Sequence, residues 1–215
     1  MTLPRLIVFS SGTSVGGGSG FEKLVFAAQE RILRAHIVAV VSNHASGGVK
    51  EKADRLRIPF VYFPSPYTFQ YYQKIITAFK SDFSVLAGWL KLVSGLNPKT
   101  TFNIHPGPLP DFGGKGKYGL HVHRAVIEDY KAGKVTSSAV CMHFVTEEYD
   151  QGPVFFYKSV PVFATDTPED LAKRVRIVEH EFLPVIADLV VNNYICWDGK
   201  DPDTLCLPKG YSYFP

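Results

Sequence analysis

Cysteine is scarce: three in 215 residues, at Cys141, Cys196 and Cys206. An odd number at spacings that fit no metal site argues against a disulfide framework and makes a reducing, cytoplasmic setting the default. Charge of one sign is also lacking. Lys plus Arg total 23 against 20 for Asp plus Glu, a net of +3, and the nearest thing to a basic run is Lys115-Gly116-Lys117. So weak a balance gives no reason to expect a nucleic-acid partner, and it suits a small anionic substrate. No apolar run is long enough to span a membrane, and residues 1–5 lead straight into a strand-like segment without signal-peptide design. What is there, 46% hydrophobic and 20% charged, is ordinary globular composition, enough for one large domain with a small extension.

Short apolar runs alternate with amphipathic stretches. Strands are predicted over residues 6–9, 37–41, 59–63, 83–87 and 101–104, and helices over 21–33, 49–56 and 69–79. That alternation implies a parallel sheet with right-handed crossovers. After residue 105 the pattern changes. A glycine-rich segment, 111–119, leads to a helix over 120–131, and two longer runs, 137–145 and 154–160, read as an antiparallel hairpin added to the sheet. Thr167-Pro168-Glu169-Asp170 starts a last helix, with Thr167 as N-cap and acids in the first turn, running to about Asn192.

Between the first strand and first helix lies Ser10-Ser11-Gly12-Thr13-Ser14-Val15-Gly16-Gly17-Gly18-Ser19-Gly20. Backbone amides at a helix start make an anion site, and glycines let a phosphate come close. The loop is no dinucleotide fingerprint, since Ser42-Asn43-His44 rather than an acid ends the second strand. It is no Walker loop either, for want of Gly-Lys-Ser/Thr. A glycine loop without a ligand stays open as a reading.

Asn103 and His105, two apart at the end of the fifth strand, share a face, and Pro106-Gly107-Pro108-Leu109-Pro110 fixes a rigid exit. Asp150 follows in the acidic turn Glu147-Glu148-Tyr149-Asp150. An amide, an imidazole and a carboxylate suit acyl transfer. The amide donates to a developing oxyanion, the imidazole gives or relays a proton, and the carboxylate holds the imidazole charged. Spacing alone leaves open that Asn103 and His105 only satisfy local backbone groups and that the turn is merely solvated. His121 and His123, two apart on a helix, cannot share its face, so no zinc site is expected. Trp89 and Leu90 read either as core or as an apolar wall for a flat heterocycle.

Taken in order, the Ser/Gly loop and residues 86–94, 103–110, 143–153 and 174–180 resemble the phosphoribosylglycinamide formyltransferase family of folate-dependent enzymes. The specific segments are Asn103-Ile104-His105-Pro106 and the stretch from Phe144 to Pro153, and the likeness covers residues 5–195. It implies an α/β fold: a Rossmann-like, mostly parallel twisted sheet with helices on both faces and an antiparallel C-terminal hairpin. It implies 10-formyltetrahydrofolate as co-substrate, glycinamide ribonucleotide as acceptor, and no metal. Catalysis would fall to Asn103, His105 and Asp150, with phosphate on Gly18, Ser19 and Gly20 and the ribose hydroxyls on Glu179. The pterin would lie against Leu90, Lys91, Leu92 and Val93 on one side and Val145, Thr146, Glu147, Glu148 and Tyr149 on the other.

Three departures from the family pattern stand out. The phosphate loop is longer and ends in Gly20 where Asn is common, Gly107-Pro108 replaces Ser-Leu, and residues 112–118 are an insertion, readable as a mobile flap or a surface loop. The same trio would serve formyl transfer to an amino-sugar nucleotide, to methionyl-tRNA or to water. The tRNA version usually carries a further C-terminal β-domain and the hydrolase an N-terminal regulatory one. A non-catalytic folate- or nucleotide-binding module would keep the fold. The resulting expectation is a single domain over residues 1–197 followed by a polar surface tail, 198–215, in a cytoplasmic monomer or homodimer with small-molecule substrates and no nucleic-acid or membrane partner.

Overall fold

The computed structural model describes residues 2–213; Met1, Phe214 and Pro215, at the ends of the expected domain and tail, lie outside the described residues. In chain order the elements are β1 (Arg5–Phe9), α1 (Ser19–Gln29), β2 (His36–Ser42), α2 (Gly48–Leu56), β3 (Phe60–Tyr62) and α3 (Phe69–Phe79). There follow β4 (Phe83–Leu86), β5 (Thr101–His105), α4 (Leu120–Lys131), β6 (Ser137–Phe144), β7 (Val154–Pro161) and α5 (Pro168–Val191). The strands make one sheet in the order β3-β2-β1-β4-β5-β6-β7. The first five pair in parallel, while β6 runs antiparallel to β5 and β7 to β6. This is the mostly parallel sheet with an antiparallel C-terminal hairpin that the sequence implies.

Strand β1, inside the sheet, shows why. Leu6 and Val8 enter one core layer, Ile7 and Phe9 the other, and all four are fully buried. A strand apolar on both sides needs helices over both faces, the parallel-sheet arrangement. Burial of such side chains contributes about 1.5–3 kcal/mol each, which holds β1 inside the sheet and away from its edges. Residues of α1, α4 and α5 fill the first layer, and Tyr72 of α3 with Trp89 the second. The chain leaves β1 toward β2 on one side and reaches β4 on the other. The loops after β1 and β4 therefore part at the carboxyl edge and open a crevice there.

Two boundaries differ from the sequence reading. Helix α1 covers 19–29 instead of 21–33. It starts early because Gly18, at φ +74°, turns the chain directly into the helix. It stops early because Arg31, at φ +60°, reverses the chain, with the Ile32 and Leu33 N–H groups both donating to the Ala27 carbonyl. The 198–213 stretch lies on the surface yet is pinned to the body. Cys196 and Cys206 form an antiparallel bridge, Leu205, Leu207, Tyr211 and Tyr213 pack on the core, and the Tyr157 N–H donates to the Tyr213 carbonyl at 2.7 Å. By contrast α5 begins as read: Thr167 and Asp170 form a reciprocal capping box. Among the described residues no helix is long and apolar enough to cross a membrane.

Candidate active site

Strand β5 delivers Asn103 and His105 to the sheet's carboxyl edge, and the antiparallel register sets His143 of β6 opposite Asn103. The Asn103 amide nitrogen lies 3.0 Å from His143 Nε2 and 3.3 Å from Asp150 Oδ1. His143 Nδ1 meets the Phe144 carbonyl at 2.8 Å, so it must carry the proton. His143 Nε2 itself lies 3.3 Å from Asp150 Oδ1, so the amide nitrogen, the imidazole and the carboxylate meet at one point: Asp150 accepts from the Asn103 amide, and Nε2 accepts from it as well whenever that nitrogen is bare. Flipping the amide would put its oxygen against a carboxylate, which fixes the assignment. His143 is 1% exposed and was not among the residues singled out from sequence. Its available signal was the predicted hairpin itself, since laying β6 beside β5 brings a buried imidazole opposite Asn103.

Asp150 closes the group. Its Oδ2 accepts the Gly114 N–H at 2.9 Å and lies 3.6 Å from His105 Nδ1. The residue sits at φ +56°, a left-handed conformation that Asp tolerates better than most side chains. Gly152 makes the turn possible: a Cβ there would fall 1.8 Å from the Phe144 oxygen. Burial alone would raise the Asp150 pKa. The His143 contact, the charges of His105 and His143, and the Gly114 N–H outweigh it and leave the carboxyl below its ordinary range. His105, 3% exposed, behaves differently from expectation. Burial lowers its pKa and outweighs the raising effect of Asp150, so the imidazole is neutral at pH 7 rather than held charged. Its two nitrogens nevertheless both face acceptors, the Phe112 carbonyl at 2.9 Å and Asp150 at 3.6 Å. One N–H serves only one of them; a second proton is accommodated as soon as it arrives.

The 112–118 insertion is therefore part of the site at its start. Phe112, 4% exposed, holds His105, Gly114 holds Asp150, and residues 114–120 wall the cleft. The Gly107 departure has a steric cause: a Cβ there would come 2.5 Å from Val122 Cγ1 and 3.3 Å from His105 Nε2. Gly20 is similarly confined, with Ala87 and Leu183 atoms 3.3 Å from where its Cβ would be. The extra length of the glycine loop closes on itself through a Thr13–Gly16 bridge packed on Gly47 and Gly48. Gly18, Ser19 and Gly20 are left at the α1 start, where a helix's first N–H groups are free. Ser19 Oγ lies 3.0 Å from His180 Nε2, and Lys23 and Arg176 add positive charge around that imidazole.

The cleft has a volume of about 580 Å³ and runs from Asn103, His105 and Asp150 past His123 and Arg176 to Glu179. Gly18, Ser19 and Gly20 do not line it; the Ser19–His180 contact joins them to the helix that carries Glu179. Burial, opposed by Arg176, pushes the Glu179 pKa up to about 7. Leu90 and Tyr149 line this cleft. Lys91, Leu92, Val93, Val145, Thr146 and Glu148 surround a smaller cavity of about 40 Å³ against Asn103, His143 and Asp150, and Glu147 lines an adjoining hollow. Trp89 is mostly core: it is 7% exposed, stacks on Phe63 and donates from Nε1 to the Tyr72 hydroxyl at 2.9 Å. Among the described residues no His, Cys, Asp and Glu cluster is arranged to hold a metal ion.

His123 makes stability pH-dependent. It is 4% exposed, its Nδ1 lacks a partner, and burial, with His105 and Arg176 facing it, lowers its pKa to about 4. The unfolded chain takes up a proton near pH 6.5 that the folded chain refuses until about pH 4. Stability is thus lost as pH falls through that window, by about 3 kcal/mol from this group. Urea unfolding at pH 7 and 4.5 should show the loss, and His123→Leu should diminish it.

A formyl transferase family pattern matches residues 4–186. The chain is 36% identical over 207 residues to the Arabidopsis thaliana chloroplastic phosphoribosylglycinamide formyltransferase, covering 90% of this chain and 67% of that protein. It is 31% identical to the Escherichia coli phosphoribosylglycinamide formyltransferase, covering 80% and 81%. The crystal structure of glycinamide ribonucleotide transformylase 1 from Symbiobacterium toebii superposes with a TM-score of 0.81 at 25% identity, covering 96% of this chain and 95% of that one.

Proposed function

This chain belongs to the formyl transferase family, and from that premise we propose that it moves the formyl group of 10-formyltetrahydrofolate onto the amine of glycinamide ribonucleotide. The observation that carries the reading is the convergence of Asn103, His105 and Asp150 at one end of a cleft that reaches Glu179 at the other. The names of the relatives in plants and bacteria support the substrate pair. The protein acts on these small molecules without metal, nucleic acid or membrane, in the cytoplasm, as a monomer or homodimer.

The ribonucleotide phosphate meets the free amides at Gly18, Ser19 and Gly20, its ribose hydroxyls meet Glu179, and its amine points to the trio. The folate ring enters between residues 90–93 and 145–149, whose 40 Å³ hollow must widen to take a fused bicycle. As the amine attacks, one Asn103 N–H leaves Asp150, its longer contact, for the developing oxyanion. Neutral His105 takes up the proton shed by the amine. The imidazolium so formed is met by acceptors on both nitrogens, and the proton passes on to the leaving folate nitrogen.

A carboxylate accepts ribose hydroxyls more strongly than a carboxylic acid does. With its pKa near 7, Glu179 becomes that carboxylate as pH rises from 6 to 8, so the KM for the ribonucleotide should fall roughly three- to tenfold. Glu179→Gln should flatten this dependence; a wild-type slope that survives the substitution assigns it to another group. The deciding assay follows loss of the formyl group with and without glycinamide ribonucleotide. Dependence on the ribonucleotide supports the reading. Formyl loss without it indicates hydrolysis, and folate binding without turnover indicates another acceptor or a binding module.

A further inference from the structure

Cys196 and Cys206 face each other across a short antiparallel bridge. The Cys196 N–H donates to the Cys206 carbonyl at 3.2 Å, and the Cys206 N–H donates back at 2.8 Å. A pair that exchanges both bonds has its Cα atoms about 5.5 Å apart and both side chains on one side. That separation falls within the roughly 4.4–6.8 Å a disulfide spans. Both are free thiols, Cys196 half-buried and Cys206 exposed. Burial first, and then the adjacent Cys206 thiol, hold the Cys196 pKa above its ordinary range. The remaining cysteine is no competitor, because Cys141 is fully buried and burial pushes its thiol up to about 12.

We propose that Cys196 and Cys206 are a covalent modification site, forming a reversible intramolecular disulfide in exchange with an oxidised small thiol. The exposed Cys206 thiolate attacks one sulfur of the oxidant's disulfide and releases one small thiolate. The Cys196 thiolate then attacks the Cys206 sulfur of the mixed disulfide and releases the second. The two cysteine protons end on the two released thiols, and two electrons pass from the cysteines to the oxidant.

The bond locks the 196–206 loop against the body. Within that loop the Trp197 ring lies 5.8 Å from the Phe144 ring and its Nε1 donates to the Asp201 carbonyl at 2.8 Å. Gly199 packs on Pro98 and Lys99 and walls a cavity of about 260 Å³ with Val93, Val145 and Thr146. Phe144 is the residue whose carbonyl fixes His143. The cross-link removes unfolded-state freedom, so it raises the melting midpoint of the oxidised chain by roughly 5 °C or more over the reduced chain.

The test treats the reduced full chain with oxidised glutathione, maps peptides without reductant, and compares melting before and after. Cys206→Ser, Cys196→Ser and Cys141→Ser run in parallel. Expected is a 196–206 linkage that dithiothreitol reverses, with a higher midpoint in the wild type and Cys141→Ser and in neither of the other two. Separate glutathione adducts on Cys196 and Cys206, no reaction at either, or a linkage without a higher midpoint would overturn the proposal.

Discussion

Asn103→Ala lowers turnover a few hundredfold and leaves the KM for both substrates close to wild type. The size follows from removing one donor to an oxyanion in a buried site, about 3–4 kcal/mol in the barrier. The split follows from geometry. In the free protein both Asn103 N–H groups are engaged inside the site, with His143 at 3.0 Å and Asp150 at 3.3 Å, so neither is offered to a ground-state ligand. The interaction that matters arises only as charge develops. The substitution also strips a partner from His143, which is 1% exposed, and from the Asp150 carboxylate 3.3 Å from its Nε2, and a buried polar group that loses its partner costs about 1–3 kcal/mol of stability. Melting and turnover must therefore be measured on the same preparation at a temperature where the variant is folded. A parallel drop in turnover and in substrate affinity would contradict the donor assignment.

Asp150→Asn lowers turnover about a thousandfold and moves the acid limb of the pH–rate profile to lower pH. Asparagine is the informative replacement because it tolerates the φ of +56° that alanine would strain, so charge is removed with little change in backbone. Burial already depresses the His105 pKa, and the Asp150 charge is the principal influence raising it. Without that charge the imidazole protonates only at still lower pH, and the imidazolium formed during transfer loses its counter-charge. Loss of such proton handling typically costs 10²- to 10⁴-fold, which places the estimate of about a thousandfold. Folding responds in a definite direction too. A carboxyl held below its ordinary pKa stabilises the folded chain above the unfolded value near 3.8 and loses that contribution as pH falls further. The variant should be less sensitive to acid below pH 4. An unshifted acid limb would mean that Asp150 and His105 are not coupled.

How much of this was legible beforehand depended on range. Asn103 and His105 share a strand, and Asp150 lies in a turn with a specific local sequence, so all three were readable from short segments. His143 was not, because its role depends on the register that pairs β6 with β5. The protonation of His105 was misjudged for a related reason. Spacing places a carboxylate near an imidazole but says nothing of the 3% exposure that outweighs it. The sheet was readable because fully apolar β1 has to lie inside it with helices on both faces, and the α5 start because Thr167 and Asp170 cap locally. The α1 ends were not, since they rest on the left-handed Gly18 and Arg31, which leave no hydrophobic period to count. The surface position of 198–213 was visible in its polarity, but its attachment through Tyr211 and Tyr213 depends on contacts far apart in sequence.

The 112–114 segment holds the imidazole through the Phe112 carbonyl and the carboxylate through the Gly114 N–H, and both are main-chain groups. Single side-chain replacements leave such groups in place. A scan that shortens residues one at a time would register the loss of the Phe112 ring, which is 4% exposed, as a packing defect and would pass over the main-chain support itself. Changes of loop length would not be so forgiving, because deleting one residue carries the carbonyl and the N–H off their partners together. The segment is therefore bound in spacing as well as in letters: Phe112 is core, a Cβ at Gly113 would come 2.5 Å from Leu109 Cδ2, and Gly114 sits at φ +94°, so a chimera that swaps it must keep its length along with these three residues.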